Sequence, residues 1–119
     1  MAASLRKETS RLDGQVKLAF ERVYGRTPAD GELARSAAHV RKMLDHHRTE
    51  HPSPVPLPLV VARHMVEEMT GEDVQWKEQL DGFRDYRRDL MPWEAEPETR
   101  ALAELCLVLL NSNEFLYVR

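Results

Sequence analysis

Cysteine is almost absent from this chain, since Cys106 is the single one among 119 residues. An internal disulfide is therefore excluded, but exported domains can lack disulfides, and the redox compartment stays open. Long apolar runs are also missing. The longest, residues 101–110, would cross about half of a bilayer, which favours a core helix over a membrane span. The first fourteen residues lack the apolar core of a signal peptide, which indicates an intracellular protein or a piece of a longer one.

An excess of positive charge is missing as well. The chain has 17 basic and 20 acidic residues, and its formal net charge is −3. This balance provides no broad positive field to attract a phosphate backbone, so it disfavours nucleic acid as the main partner. The composition, 42% hydrophobic and 31% charged, is typical of a globular protein. We expect residues 1–119 to form a single domain that folds without a metal or a disulfide.

The most apolar stretch lies near the end of the chain, in residues 97–119. Within residues 101–110 only Glu104 is polar, so a helix through them is apolar on nearly all sides. Pro97 is typical of a helix start, and the polar residues after Leu110 are typical of an end. We expect this helix to be the central and most buried element, with the more polar upstream chain packed around it.

Two further helices are predicted before residue 50. Apolar residues recur at helical spacing between Leu12 and Val23, and Gly25 stands where that helix would stop. Residues 27–30, Thr-Pro-Ala-Asp, are a start signal for the second helix, with a capping hydroxyl and a proline at the first helical position. The short link between the two helices predicts that they are antiparallel neighbours.

Prolines concentrate in residues 51–59, which read HPSPVPLPL. This composition predicts an extended loop that crosses the core, and a ligand for a polyproline-binding domain is the alternative. Helically spaced apolar residues between Leu59 and Met69 predict a third helix that ends at Gly71. Residues 72–96 are interpreted as irregular or partly helical. The predicted fold is therefore all-α: a small bundle of about four helices with a proline-rich crossing loop and a buried C-terminal helix.

Several stretches taken together resemble a known family. They are LCLVLLNSNEFLYV near the end, VKLAFERVYGRTPADGEL upstream, and MVEEMTGE, YRRDLMPWE and TRALAELC between them. Over nearly its whole length the chain resembles the C-terminal end of planctomycete-specific domain one. That domain, whose function is unknown, ends large and mostly exported bacterial proteins, many of which also carry a c-type cytochrome module.

The resemblance implies the terminal helical module of a longer protein in an extracellular or cell-envelope setting. It carries over no catalytic residue. The Cys-x-x-Cys-His signature that attaches haem in the cytochrome module is absent from this sequence, so we expect no covalent haem on this chain and no other cofactor.

Four histidines form the most chemical-looking cluster of the sequence: His39, His46, His47 and His51. On a continuous helix His47 and His51 stand one turn apart, a spacing that can hold a metal ion. The alternative is a solvated helix end, where histidine is favourable to the dipole. Pro52 disfavours a continuous helix, and no carboxylate or thiol completes an obvious ligand set. No metal site is therefore the first interpretation.

Two other groups of residues allow a chemical hypothesis. Asp81, Asp85 and Asp89 repeat every four residues, and Glu67 with Glu68 could act as an acid and base pair. Arginines are interleaved with these aspartates, so a salt-bridged surface is favoured. Cys106 lies inside the apolar helix, where we expect an inert core thiol and not a nucleophile.

The residues after the apolar helix have two interpretations. Asparagine and serine at such a place typically bond the last helical carbonyls, after which the aromatic residues would fold back onto the core. Alternatively, this terminal segment docks onto another protein surface and leaves its aromatic residues partly exposed. The candidate interaction residues are Asn111, Ser112, Asn113, Glu114, Phe115 and Tyr117.

Two functions from different classes remain open. The first is a non-catalytic structural or interaction module of a large exported protein. It would use apolar surface from the first helix and the terminal segment to contact the remainder of the parent protein, another protein or a second copy. The second is a metal-binding or redox-accessory domain with ligands from His39, His46, His47 and His51. We expect the chain not to be an enzyme.

Overall fold

A computed structural model describes residues 1–55, 59–83 and 88–117 of the chain. It divides them into two compact units. The helical unit comprises Met1–Pro52 and Pro92–Arg119, and the hairpin unit comprises Ser53–Met91.

The described part of the helical unit contains five α-helices: α1 (Ala2–Glu8), α2 (Leu12–Tyr24), α3 (Asp30–Thr49), α4 (Pro97–Leu110) and α5 (Asn113–Leu116). Helix α4 packs against α1, α2 and α3, and the short α5 packs against α2 and α4. The last long helix is therefore central to this unit, as predicted. None of the helices in the described residues is long and apolar enough to cross a membrane.

The helix boundaries follow local signals, with one shift. Gly25 ends α2 in the left-handed conformation, at φ 69°, as predicted. Pro97 opens α4, also as predicted. Helix α3 begins at Asp30, not at Pro28, and no side chain caps it in the way expected of Thr27. Instead the Glu32 carboxylate accepts a hydrogen bond from the Ala29 N–H at 2.8 Å, which satisfies one of the free amides at the helix start.

One face of α4 supplies much of the core. Five of its residues are buried, and they pack against α1, α2 and α3. The buried apolar cluster consists of Ala2, Leu5, Val16, Ala19, Phe20, Val40, Ala101, Leu102, Leu105, Cys106 and Leu109. Leu107 and Val108, on the opposite side of α4, are more than half exposed. Only one face of this nearly all-apolar helix is therefore buried.

The hairpin unit contains two antiparallel strands, β1 (Val60–Val66) and β2 (Asp73–Gln79), followed by a single 3-10 turn, Asp81–Phe83. Arg63 lies opposite Trp76 in the register. The connecting turn uses Gly71 at φ 74°. Its Glu67 carboxylate accepts a hydrogen bond from the Thr70 N–H at 2.6 Å.

The all-α prediction is wrong, because the structure combines helices with this small sheet. The segment predicted as a third helix contains β1, and the segment interpreted as irregular contains β2. Val60, Val61 and Val66 are β-branched and favour an extended chain. A glycine in the left-handed conformation ends a helix or closes a hairpin equally well, so Gly71 does not distinguish the two. Residues 56–58 of the predicted proline-rich crossing lie outside the described residues.

Candidate interaction site

The end of α4 is fixed to the end of α2 by a hydroxyl network. The Tyr24 hydroxyl donates to Ser112 Oγ at 2.7 Å. Ser112 Oγ in turn donates to the Leu109 carbonyl at 2.8 Å and accepts from the Phe115 N–H at 3.3 Å. Asn111 Nδ2 donates to the Leu107 carbonyl at 2.8 Å. Ser112 and Asn111 thus bond the last carbonyls of α4, which is the structural role predicted for them.

Arg26 forms a second link between the same two regions. Its guanidinium donates to the Glu32 carboxylate through Nη1 and Nη2, at 2.8 and 2.9 Å. Through Nε and Nη2 it also donates to the Glu114 carboxylate, at 2.6 and 2.8 Å. The guanidinium carbon lies 5.5 Å from the centre of the Phe20 ring and 5.4 Å from that of Tyr24. Planar bidentate pairing of this kind fixes direction as well as distance.

The charges of this cluster depend on one another. Hydrogen bonds from Arg26, together with the Ala29 N–H, lower the pKa of Glu32 to about 2. The hydrogen bond from Arg26 also lowers the pKa of Glu114, and the two carboxylates raise the pKa of Arg26. All three groups are therefore ionised over the physiological pH range, and the cluster holds one positive charge between two negative ones.

These contacts join the two stretches on which the family resemblance mainly depends. Tyr24 and Arg26 belong to Tyr-Gly-Arg-Thr-Pro, and Ser112 and Glu114 belong to Asn-Ser-Asn-Glu-Phe. Sequence reasoning predicted the turn at Ser112. It missed the long-range partners of this segment, which are Tyr24 for Ser112 and Arg26 for Glu114. No local signal could have found them, because hydrogen bonding between residues 88 apart depends on how the helices pack.

Comparison of the chain with protein-family models, with curated proteins and with solved structures gives no match.

A strip of apolar side chains remains exposed beside this network. We call Leu107, Leu110, Phe115, Leu116 and Tyr117 the terminal strip. Their exposed fractions run from 36% at Leu110 to 73% at Tyr117. Leu107 and Leu110 are three residues apart and share a side of α4. The prediction that the terminal aromatic residues fold back onto the core is wrong for Tyr117, so the alternative, partial exposure, describes the strip better.

The polar candidates of the terminal segment are placed differently from one another. Ser112 begins α5 as its capping residue, and Asn113 is the first helical residue. Glu114 faces back towards Arg26. Of the residues predicted for interaction, Ser112 and Glu114 therefore hold α5 in place, whereas Phe115 and Tyr117 are exposed.

The four histidines are not brought together. Helix α3 ends at Thr49, so His51 lies beyond the helix, exposed, and does not follow His47 on the same face. His46 is also exposed. The Nε2 atom of His39 is buried without a hydrogen-bond partner in the described structure. Across residues 1–55, 59–83 and 88–117, no group of three or more His, Cys, Asp or Glu side chains is placed to hold a metal ion.

His47 belongs instead to the contact between α3 and α4. Its Nε2 lies 3.6 Å from Glu104 Oε1. Arg100, one turn earlier on α4, donates from Nη2 to the carbonyls of His47 at 2.7 Å and Glu50 at 3.1 Å. A cation at a helix C-terminus bonds the free carbonyls there and complements the dipole. Arg100 is a second residue that sequence reasoning missed.

The remaining candidates for chemistry, Cys106 and Glu67, have structural roles. Cys106 is 5% exposed, and burial raises the pKa of its thiol, which keeps it protonated and unreactive. Glu67 accepts hydrogen bonds from Thr70 in the hairpin turn, which lowers its pKa. Asp85, from the predicted row of aspartates, lies outside the described residues. The exposed apolar strip is therefore the feature that most needs a functional explanation.

Proposed function

We propose that the chain is a non-catalytic interaction module that docks through the terminal strip onto an apolar protein surface. The observation that carries the proposal is the exposure of six large apolar side chains in sequence positions 107–117, namely the five of the terminal strip and Val108. Helix α4 is apolar on nearly all sides, yet it buries only one side. A helix of that composition is typical of a position with neighbours on both sides, and a contiguous exposed apolar patch commonly marks an interaction site.

The strip is held in a fixed shape before any partner arrives. Tyr24 and Arg26 anchor Ser112 and Glu114, which flank the start of α5. Phe115 and Leu116 therefore project from a short helix that is tied at its first turn. Because the strip is already ordered in the free protein, binding loses less conformational entropy, and this favours affinity.

Helix α2, which was the first helix predicted from the sequence, is not part of the proposed surface. Its large apolar residues, Leu18 and Val23 among them, pack against the core. The partner suggested by the family resemblance is the remainder of a long exported protein, and a separate protein with an apolar groove would meet the same chemical requirement.

Site-specific photo-crosslinking in the cells that naturally make the protein tests the proposal. A benzophenone side chain at Leu107 or Leu116 should give one discrete adduct, either within the same polypeptide or with one partner. Met69 is the matched control, because it is apolar and 92% exposed but lies in the hairpin turn. At that position we expect no discrete adduct.

A second variant separates docking from chance contact. Leu107→Lys, combined with the crosslinker at Leu116, places a charge on the strip without removing a buried contact. It should abolish the adduct while the far-ultraviolet circular dichroism and melting temperature stay unchanged. Equal crosslinking at Leu116 and Met69, or an adduct that survives Leu107→Lys, would refute the proposal. A large fall in melting temperature would show that Leu107 is already packed.

A further inference from the structure

The two strands of the hairpin unit form one face with four apolar side chains and a second face that is polar along β2. Residues directly opposite one another in the register share a face. One face carries Val61, Met65, Val74 and Trp76, and the last three of these are 41% to 51% exposed. Arg63 and Glu78 lie on that face too and pair with each other at 2.8 Å.

The other face carries Val60, Ala62 and Val66 from β1, whereas its β2 side is polar and has separated charges. Asp73, Gln75 and Lys77 follow one another at every second position, so they point to the same side of the sheet. Asp73 Oδ2 accepts a hydrogen bond from Gln75 Nε2 at 3.1 Å. The negative and positive charges thus lie at equal distances on either side of Gln75.

The sheet in the described residues has two strands, so each strand is an edge. A hairpin of two strands is marginally stable in water, and three or more strands with an apolar face are usually needed. An edge strand offers unpaired N–H and C=O groups to any extended segment that matches it. The size and character of this sheet therefore favour the addition of strands.

We propose that β2 pairs antiparallel with β2 of a second copy about a two-fold axis through Gln75, which gives a four-stranded sheet. In this register Asp73 lies opposite Lys77 of the other copy, and the symmetry repeats that pair. On the other face Val74 lies opposite Trp76 of the other copy, again twice. Opposite-charge and aromatic–aliphatic pairs are the cross-strand contacts that stabilise sheets, and a two-fold interface requires a self-complementary patch.

The outer edge of β1 fits a second copy less well. Its middle residue is Arg63, and a two-fold axis there places two arginines opposite each other. Shifting the axis by one residue, to Ala62 or to His64, sets Arg63 against an aliphatic side chain. None of these three axis positions on β1 gives an opposite-charge pair. Charge pairing between the two copies therefore favours β2.

Cysteine crosslinking provides the first test. In the proposed register the two Gln75 residues form a hydrogen-bonded pair, because the neighbouring even-numbered residues of β2 bond to β1. Their Cα atoms would be about 5.5 Å apart, within the range that a disulfide spans. Gln75→Cys should form a covalent dimer under mild oxidation. His64→Cys is the matched control, because His64 is opposite Gln75 in the same hairpin. Across the four-stranded sheet its two copies would be about 14 Å apart. Cys106 is buried and can stay in both variants.

Charge exchange provides the second test, with sedimentation equilibrium as the measurement. Lys77→Asp turns two attractive pairs into two repulsive ones and should weaken dimerisation by roughly tenfold. The double variant Asp73→Lys with Lys77→Asp restores opposite charges and should recover the affinity. A chain that is monomeric at millimolar concentration would overturn the proposal. So would a dimer that ignores Lys77→Asp, or equal oxidation of the two cysteine variants.

The same measurement distinguishes this interface from the terminal strip. If the chain dimerises and Leu107→Lys abolishes the dimer while Lys77→Asp does not, the second copy binds at the strip. That result would overturn β2 pairing. If Lys77→Asp alone weakens the dimer, β2 pairing stands whatever the partner of the strip.

Discussion

Arg26 and Glu114 lie 88 residues apart in the chain and form a bidentate ion pair, with donor–acceptor distances of 2.6 and 2.8 Å. The same guanidinium also holds Glu32 at the start of α3. One side chain therefore joins the α2–α3 connection to the last short helix. The pair is partly exposed, so we assign it the role of orienting α5 and not of stabilising the whole fold.

Replacing Glu114 by glutamine should loosen α5 without unfolding the protein. Glutamine keeps the size of the side chain but loses the charge that pairs with Arg26. Hydrogen exchange of the amides of residues 115–117 should become severalfold faster, while exchange in α4 stays unchanged. Glu21→Gln, at an exposed carboxylate of α2, is the control and should change neither. Unaltered exchange at residue 116 in Glu114→Gln would show that Arg26 does not hold α5.

The free energy of unfolding should depend on pH through Glu32. Its pKa is about 2 in the folded protein, against an ordinary value of 4.5. Between these values the unfolded chain binds more protons, so stability rises with pH. The contribution is fully present above about pH 4.5 and is lost as the pH falls towards 2. The unfolding free energy, measured by denaturant titration at several pH values in this range, should rise less steeply with pH in Glu32→Gln than in Glu21→Gln. Identical slopes would contradict the assignment.

Replacing Tyr24 by phenylalanine removes one hydroxyl from the network at the end of α4. Ser112 Oγ keeps its bond to Leu109, so the expected loss in unfolding free energy is that of one hydrogen bond, about 0.5–1.5 kcal/mol. Tyr117→Phe is a matched control, because its side chain is 73% exposed, and it should be nearly neutral. Equal effects of the two substitutions in urea titrations would show that the Tyr24 hydroxyl contributes nothing.

Metal ions should not stabilise the folded protein. A ligand that binds only the folded state raises the melting temperature, and the described residues offer no ligand set of three or more. Addition of stoichiometric zinc or copper after chelator treatment should leave the midpoint of the tag-free chain unchanged. A rise of several degrees that His47→Ala and His51→Ala abolish would instead restore the metal-binding hypothesis.

The hairpin shows where sequence reasoning fails. The spacing of apolar residues between Leu59 and Met69 fits a helix, but residues 60–66 form a strand in which Val61 and Met65 lie on one face and Ala62 and Val66 on the other. In so short a stretch the spacing of apolar residues does not distinguish a helix from a strand. Pairing with β2, which supplies hydrogen-bond partners for the backbone groups along one edge of β1, decides the outcome. The prediction of a third helix was wrong for this reason.

The sequence by itself determined the end of α2, the start of α4 and the central place of α4 in the helical unit. Pro97 and Gly25 act through their own backbone restrictions, and the apolar composition of residues 101–110 favours a core position for α4. Only the tertiary structure decided that the outer side of α4 stays exposed, that Arg26 meets Glu114, and that residues 60–79 form a hairpin. The physical reason is range: backbone preferences and periodicity act within a few residues, whereas strand pairing, ion pairs and exposure depend on residues far apart in the chain.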